Sequence, residues 1–366
     1  MDRTDQRNRG LIEKRLNSAG RVRWRVRYRT PDQRQRSRTF DRRRDAEDFE
    51  AELRGRMRRG EFVDPQRGRM SLASLWEEYE RTSLTYLRKT TQQNYRVAIQ
   101  HALNQFKLWP IGKIEHGDIA DWVASLSKTK GPETVRYAHR VLCLVLEYGV
   151  STRRLAHNAA RGVELPARPP ARERILTAEQ VDALAEKLDR HGDIVLCMAY
   201  LGLRWSEAAG LRAGHVDLTR NRVRIIERAT EVAGHMDVDI PKTATSARDV
   251  GIPAFLRDVL SARIEGRRPN DLVFPAPAGG HLRNGNWRSR SGWDEATASL
   301  GLKGITPHDL RRTFGSLARL AGADLRWIQK AMGHASITTT ARIYAHLYDN
   351  ELDTVAEALN DLRRPK

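Results

Sequence analysis

A run of nine residues near the start of the chain alternates strictly between arginine and apolar side chains. The apolar positions are Val22, Trp24, Val26 and Tyr28, and the basic positions are Arg21, Arg23, Arg25, Arg27 and Arg29. Successive side chains of a β-strand point to opposite faces, so a repeat of two residues predicts a strand. One face of that strand is apolar and packs inward, and the other carries arginine alone.

The residues that follow predict a small sheet completed by one helix. Residues 30–33 predict a turn and residues 34–40 predict a returning strand. Asp41 can cap a helix that runs to about residue 59. The inward positions of that helix are Ala46, Phe49 and Leu53. Arginines on one sheet face repel one another unless an anion meets them, so the face either binds a polyanion or is merely solvated.

The distribution of charge favours a nucleic-acid partner. The chain has 366 residues and a formal net charge of +19. Residues 1–69 hold 22 basic and 12 acidic side chains, and so carry +10 of that total. Charge that serves solubility would be spread more evenly, whereas a local excess predicts a polyanion-binding surface. A sheet face can enter the major groove of DNA, although phosphate contact alone accounts for the charge.

The rest of the chain divides into a helical segment, a linker and a mixed segment. Residues 70–165 predict a bundle of short helices, and the basic, proline-rich residues 166–174 predict a stiff linker. Residues 175–366 predict a helix-rich α/β domain. Predicted helix starts are Ser71, Thr90-x-x-Gln93, Asp118, Thr134 and Thr177-x-x-Gln180. The mixed segment also predicts a buried helix near 194–203 and strands at 223–227, 238–241 and 250–253.

Composition excludes several classes of protein. The two cysteines, Cys143 and Cys197, are too few for a disulfide scaffold or a cysteine metal cage. No run approaches the roughly 18 apolar residues of a membrane span, and the first residues contain no apolar signal segment. We therefore expect no membrane segment, no cysteine-bound metal and a reducing, cytoplasmic environment.

Chemistry-bearing residues fall in four short strings of the last segment. Arg204 and Glu207 lie in GLRWSE, and Lys242 lies in PKTATSARD. His308 and Arg311 lie in TPHDLRRTF, where Thr306 can cap a helix, Pro307 suits its first position and the spacing of three places both on one helix face. His334 and Tyr344 lie in MGHASITTTARIYAH, where Gly333 can end a helix. Each residue alone has an ordinary structural explanation.

Together, in this order, the four strings resemble the tyrosine recombinases, or phage-type integrases. The resemblance is specific over about residues 173–350. It implies a multi-domain fold, mostly α with α+β parts. Residues 1–69 would form an arm-type DNA-binding domain of a small β-sheet plus helix, and residues 70–165 a helical core-binding bundle. Residues 175–366 would form the mixed α/β catalytic domain with a C-terminal tail helix. The layout is similar to integrases of actinobacterial phages and integrative elements.

The resemblance implies a nucleophile and a set of phosphate ligands. Tyr344 would attack a DNA phosphodiester and form a 3′-phosphotyrosyl link. Arg204, Arg311 and His334 would bind the phosphate oxygens, since guanidinium groups hold phosphate in two-point contacts. Two transesterifications conserve the bond energy, so neither ATP nor a metal ion is required.

The remaining roles follow from the same resemblance. Lys242 would protonate the leaving 5′ oxygen, and His308 would act as an acid or base beside the nucleophile. Glu207 would support the site from behind. Tyr348 lies one helical turn after Tyr344 and is the alternative nucleophile.

The resemblance also implies partners. These are double-stranded DNA at core and arm attachment sites, a homotetramer on DNA, a host bending factor and an excision factor. Leu352, Val355, Leu359 and Leu362 share one face of a predicted tail helix, which would dock on the neighbouring protomer. Three alternatives remain: a chromosome-dimer resolvase or transposon recombinase, a DNA-binding regulator without activity, and a type IB topoisomerase.

Overall fold

The chain forms two compact units in a computed structural model, Met1–Pro170 and Ala171–Lys366. The structure describes residues 11–18, 20–30, 33–58, 64, 66–169, 174–239, 247–334, 336–338 and 341. The boundary between the units falls within the stretch that the sequence predicts as a linker, of which residues 170–173 lie outside the described residues.

The described part of the first unit begins with a three-stranded antiparallel sheet and one helix. The sheet has the order β1 (Leu11–Leu16), β2 (Val22–Arg29) and β3 (Gln35–Phe40), and is followed by α1 (Arg43–Arg58). Val26 at the centre of β2 is fully buried, as is Ala46 of α1. The sequence patterns predict β2, β3 and α1 but not β1. That strand pairs along its length with β2, but its apolar and polar residues do not alternate cleanly.

Four longer helices follow in the described part of the first unit. They are α2 (Leu72–Thr82), α3 (Lys89–Phe106), α4 (His116–Ser127) and α5 (Pro132–Ser151). Ser71 caps α2 as predicted, because its hydroxyl accepts from the amide of Ser74 at 3.2 Å. The predicted capping box at Thr90 is wrong. Helix α3 already begins at Lys89 after the extended Arg88, so Thr90 lies inside its first turn. The helices predicted from Asp118 and Thr134 begin two residues earlier.

The second unit combines eight described helices with two small sheets. The helices are α6 (Ala178–Lys187), α7 (Gly192–Leu201), α8 (Trp205–Gly210), α9 (Ala254–Ile264), α10 (Asn284–Ser291), α11 (Trp293–Ser299), α12 (Pro307–Leu320) and α13 (Leu325–Met332). The strands are β4 (Val216–Asp217), β5 (Arg222–Ile225), β6 (Arg228–Val232), β7 (His235–Asp239) and β8 (Arg248–Gly251). One sheet has the order β4-β5-β8, and β6 and β7 form an antiparallel hairpin.

The core of the second unit surrounds α7, which is apolar on nearly every side. Helices α6, α8, α9 and α12 all pack on it. The capping box predicted at Thr177 is confirmed, since its side chain accepts from the amide of Gln180 and receives the reciprocal bond. Strand β6 was not predicted, because Ala229 is its only buried residue and no apolar alternation marks it.

The predicted fold class is therefore confirmed: a mostly helical chain with a small N-terminal sheet, a helical bundle and a mixed α/β unit. None of the helices in the described residues is long and apolar enough to cross a membrane.

Candidate functional site

The first part of the site is the start of α8. Gly202 ends α7 in a left-handed conformation, with φ of 63°, and turns the chain into α8. Arg204 is the residue before the helix, and its amide donates to Glu207 Oε2 at 2.8 Å. The guanidinium of Arg204 also donates to Glu207 Oε1 at 2.7 Å. This carboxylate thus fixes both the helix start and the direction of the arginine.

The second part is α12, which carries His308 and Arg311. Its start is confirmed as predicted: Thr306 and Asp309 form a capping box, and Pro307 is the first helical residue. Arg311 is 1% exposed, and its guanidinium donates to the carbonyl oxygens of Gly202 and Met332. A buried arginine thereby ties α12 to the ends of α7 and α13.

The third part is the turn after α13, which places His334. Gly333 has φ of 60° and ends the helix in the predicted left-handed conformation. The carbonyl oxygen of Gly333 accepts from Arg204 Nη2 at 3.2 Å. The amide of His334 donates to the carbonyl of Gln329 at 3.0 Å, which holds the histidine beside the two arginines.

A third arginine, which is not among the residues predicted from the sequence, completes this cluster. Arg248 on β8 donates from Nη1 and Nη2 to the two oxygens of Glu207, at 3.0 and 2.8 Å. Its Nε donates to the carbonyl of Ala331 at 2.6 Å. A signal existed, because Arg248 lies two residues before the buried Val250 and so shares the inner face of the strand.

The charges of the cluster keep Glu207 ionised. Burial raises the pKa of Glu207, but hydrogen bonds and charges from Arg248, Arg311 and Arg204 outweigh that effect and lower the pKa to about 2. Three arginines against one carboxylate leave an excess of positive charge at the site. Such an excess, with the side chain of Arg204 40% exposed, is suited to binding a phosphate.

The two histidines of the site are held neutral. Burial and the charges of Arg311 and Arg204 lower the pKa of His334 to about 4. Burial and the charges of Arg312 and Arg311 also lower the pKa of His308 below its usual value. Neutral imidazoles can accept a proton or donate a hydrogen bond at physiological pH.

The structure thus brings together Arg204, Glu207, Arg311 and His334. His308 lies near enough that the charges of Arg204 and Arg311 both lower its pKa. Three other predicted features lie outside the described residues: Lys242, the two candidate nucleophiles Tyr344 and Tyr348, and the tail helix over 352–362. Within the described part of the chain, no group of three histidine, cysteine or acidic residues is arranged to hold a metal ion.

The arginine face of β2 is less bare than the sequence suggested. Arg27 forms an ion pair with Glu13 of β1 at 2.9 Å, and this hydrogen bond lowers the pKa of Glu13. Arg23 forms an ion pair with Asp41. Arg21 lies just before the strand. Acidic side chains of the protein itself therefore offset part of the expected repulsion between the arginines. For Arg25 and Arg29, the described residues supply no ion-pair partner within 4.0 Å.

Comparisons with known proteins point to one family. Residues 174–351 match the phage integrase family. The tyrosine recombinase XerD of Listeria innocua is 28% identical over 246 residues, which cover 64% of this chain and 78% of the relative. The tyrosine recombinase XerC of Herpetosiphon aurantiacus is 33% identical over 147 residues, covering 40% of this chain and 44% of the relative.

Two solved structures share the fold. The Tn1549 transposon integrase in complex with a circular intermediate DNA has a TM-score of 0.68 at 19% identity, covering 79% of this chain and 99% of that one. A lambda integrase tetramer bound to a Holliday junction has a TM-score of 0.59 at 15% identity, covering 90% and 94%.

The fold, the four sequence strings and the relatives define the class of protein: an enzyme of site-specific DNA recombination. Residues 174–351 form a domain of the tyrosine recombinase family, also called the phage integrase family.

Proposed function

We propose that the chain is an integrase, which inserts or excises a phage or other mobile element through a 3′-phosphotyrosyl intermediate. The observation that carries the proposal is the convergence of Arg204, Arg311 and His334 on one side of the second unit, buttressed by Glu207. In sequence, Tyr344 follows His334 by ten residues, as a recombinase nucleophile would.

In this mechanism the two arginines hold the scissile phosphate. Tyr344 Oη forms a bond to phosphorus while the bond to the 5′ oxygen breaks, and Lys242 gives that oxygen a proton. Charge develops on the equatorial oxygens, where guanidinium groups stabilise it. A 5′-hydroxyl of the partner strand then attacks phosphorus, gives its proton to Lys242 and releases Tyr344. Loss of one arginine donor should cost about 3–4 kcal/mol of transition-state stabilisation.

The histidines take the proton-transfer and hydrogen-bonding roles. His308 accepts the proton of Tyr344 and later returns it, which a histidine with a lowered pKa can do at neutral pH. His334 donates a hydrogen bond to a non-bridging phosphate oxygen in its neutral form. Neither role requires ATP or a metal ion.

The N-terminal sheet supports integration at a mobile element. Its outer face presents Arg23, Arg25, Arg27 and Arg29 beside the hydroxyl groups of Ser37 and Thr39 on the neighbouring strand. We assign residues 1–69 to arm-site DNA, residues 70–165 and 175–366 to core-site DNA, and residues 166–174 to the linker between them. The working form is a homotetramer on DNA in the bacterial cytoplasm, with a host bending factor and an excision factor.

A second candidate is a chromosomal recombinase of the Xer type. The named XerD and XerC relatives favour it, since they match 64% and 40% of the chain. The two candidates differ in what residues 1–69 do. An integrase loses recombination when arm-site DNA is removed from its substrate, and a Xer-type enzyme does not.

The test traps the covalent intermediate. Nicked DNA from the region flanking the gene is incubated with the wild type, with Tyr344→Phe and with Tyr348→Phe, and is then denatured in detergent. We expect an adduct with the wild type and Tyr348→Phe but none with Tyr344→Phe. An adduct that persists in Tyr344→Phe moves the nucleophile, and binding without any adduct from the wild type argues for a regulator.

Relaxation of supercoiled DNA without site preference would instead indicate a topoisomerase. Omitting the arm-site DNA then separates an integrase from a Xer-type enzyme.

A further inference from the structure

We propose that Arg248 is a positioning residue of the recombination site: by occupying both oxygens of Glu207 from behind, it keeps that carboxylate from competing with the phosphate for Arg204 and Arg311. The inference rests on the proposed function, because it concerns the same phosphate. Arg248 acts through Glu207 and does not itself touch DNA.

The side chains of Arg248 and Arg204 differ in how far they are exposed to solvent. The side chain of Arg248 is 4% exposed, whereas that of Arg204 is 40% exposed. Arg204 is open to a DNA phosphate, whereas each of the three guanidinium nitrogens of Arg248 already donates to a protein acceptor. The role of Arg248 has to be exerted on its protein neighbours.

Those neighbours belong to the elements that build the site. Arg248 joins β8 to α8 through Glu207 and to α13 through the carbonyl of Ala331. Ala331 lies two residues before Gly333, whose carbonyl accepts from Arg204. One buried guanidinium thus fixes the relative positions of α8 and of the turn that carries His334.

The hydrogen bonds of Glu207 explain why loss of Arg248 would affect the other two arginines. Oε1 accepts from Arg204 Nη1 and Arg248 Nη1, at 2.7 and 3.0 Å. Oε2 accepts from the Arg204 amide and from Arg248 Nη2, both at 2.8 Å, and lies 3.6 Å from Arg311 Nη1. Without Arg248, the full charge of the carboxylate would fall on the other two arginines and compete with the phosphate for their N–H groups.

The test compares Arg248→Met, Arg248→Lys and the double variant Arg248→Met/Glu207→Gln with the wild type. It measures the single-turnover cleavage rate on nicked DNA, the dissociation constant for that DNA and the melting temperature. Arg212→Met is the matched control, because Arg212 pairs with Glu227 at 2.7 Å in an ion pair elsewhere in the second unit.

We expect Arg248→Met to cleave about 100-fold more slowly at nearly unchanged affinity, since small displacements of catalytic groups cost rates of that order. The double variant should recover about tenfold of that loss, because the neutral amide that replaces the Glu207 carboxylate no longer competes for the arginines. Arg212→Met should cleave at the wild-type rate.

A role in folding alone predicts no such recovery, because the double variant loses a second group of the cluster. A double variant no faster than Arg248→Met, or a wild-type rate in Arg248→Met, overturns the proposal. If Arg248→Met does not fold, Arg248→Lys carries the test. One ammonium cannot satisfy both carboxylate oxygens, so this variant should cleave about tenfold more slowly at unchanged affinity, and a wild-type rate overturns the proposal.

The outcome is separable from that of the proposed function. If the proposed function is wrong, the wild-type protein itself forms no covalent adduct with DNA. Failure of the present inference leaves the wild-type adduct and its dependence on Tyr344 intact, and changes only the ranking of the Arg248 variants.

Discussion

Arg204 donates to Glu207 through both its backbone amide and its guanidinium, at 2.8 and 2.7 Å. A glutamate three residues into a helix often satisfies the amide of the preceding residue. Here the same carboxylate also orients a side chain that points to the site. The beginning of α8 and the direction of a phosphate ligand are therefore determined by one residue.

The first prediction concerns the stability contributed by Glu207. Glu207→Gln leaves three arginines without their carboxylate, and breaking a buried ion pair from one side costs about 3–5 kcal/mol. We expect a loss of that order in the free energy of unfolding of the second unit, measured by urea denaturation. The control is Glu227→Gln at the more exposed pair with Arg212, which should cost about 1 kcal/mol or less. Equal losses would contradict the prediction.

The second prediction concerns how the difference in unfolding free energy between the wild type and Glu207→Gln depends on pH. The pKa of Glu207 is about 2 in the folded chain against an ordinary value of 4.5. A carboxyl group with a lowered pKa stabilises the fold fully above its unfolded value and loses that contribution as pH falls. The stability gap between wild type and Glu207→Gln should therefore be constant above about pH 5.5 and shrink between pH 4.5 and 2. A gap that does not change over this range would show that the charge of Glu207 is not responsible.

Local signals explain how much of the site could be predicted from the sequence. The capping box of Thr306 and Asp309, Pro307 at the first helical position, and the left-handed Gly333 each depend on residues within a few positions. Such features can be predicted from the local sequence alone. They predict the start of the helix that carries Arg311 and the end of the helix before His334. That these two residues share one site was implied only by the resemblance to a known family.

The features that were missed depend on tertiary contacts. Arg248 is buried because the carboxylate of Glu207, 41 positions earlier, neutralises it. Nothing near Arg248 in the sequence announces that partner. The predicted strand at 250–253 also began two residues too late, which left Arg248 in the loop. Strand β1 is similar, because pairing with β2 stabilises a segment whose own pattern is weak.

The third prediction concerns Gly202, whose conformation shapes the turn before Arg204. Its φ is 63°, and an added Cβ would lie 2.5 Å from Cδ1 of Phe314. Gly301 has a similar φ of 71° but open space around it. We expect Gly301→Ala to cost only the left-handed backbone penalty of about 1–2 kcal/mol. Gly202→Ala should cost more, because the ring of Phe314 must also move.

Urea denaturation of both variants separates the two contributions. Gly202→Ala should also slow cleavage, because the carbonyl of Gly202 accepts from Arg311 and a shift of the turn displaces that arginine. Similar unfolding free energies for the two variants would mean that the contact with Phe314 relaxes without cost.

The last prediction assigns the DNA-binding face of the N-terminal sheet. Side chains on β1 alternate, so Lys14, opposite Trp24, lies on the helix-covered side, and Arg25 lies on the opposite side. Each phosphate contact that is lost lowers the slope of log K against log salt concentration by about one. We expect Arg25→Ala to weaken binding of the full chain to arm-site DNA and to reduce that slope by about one. Lys14→Ala removes the same charge from the other face and should leave the slope unchanged. Titrations at several salt concentrations measure both, and equal slopes for the two variants would place the DNA elsewhere than on this arginine face.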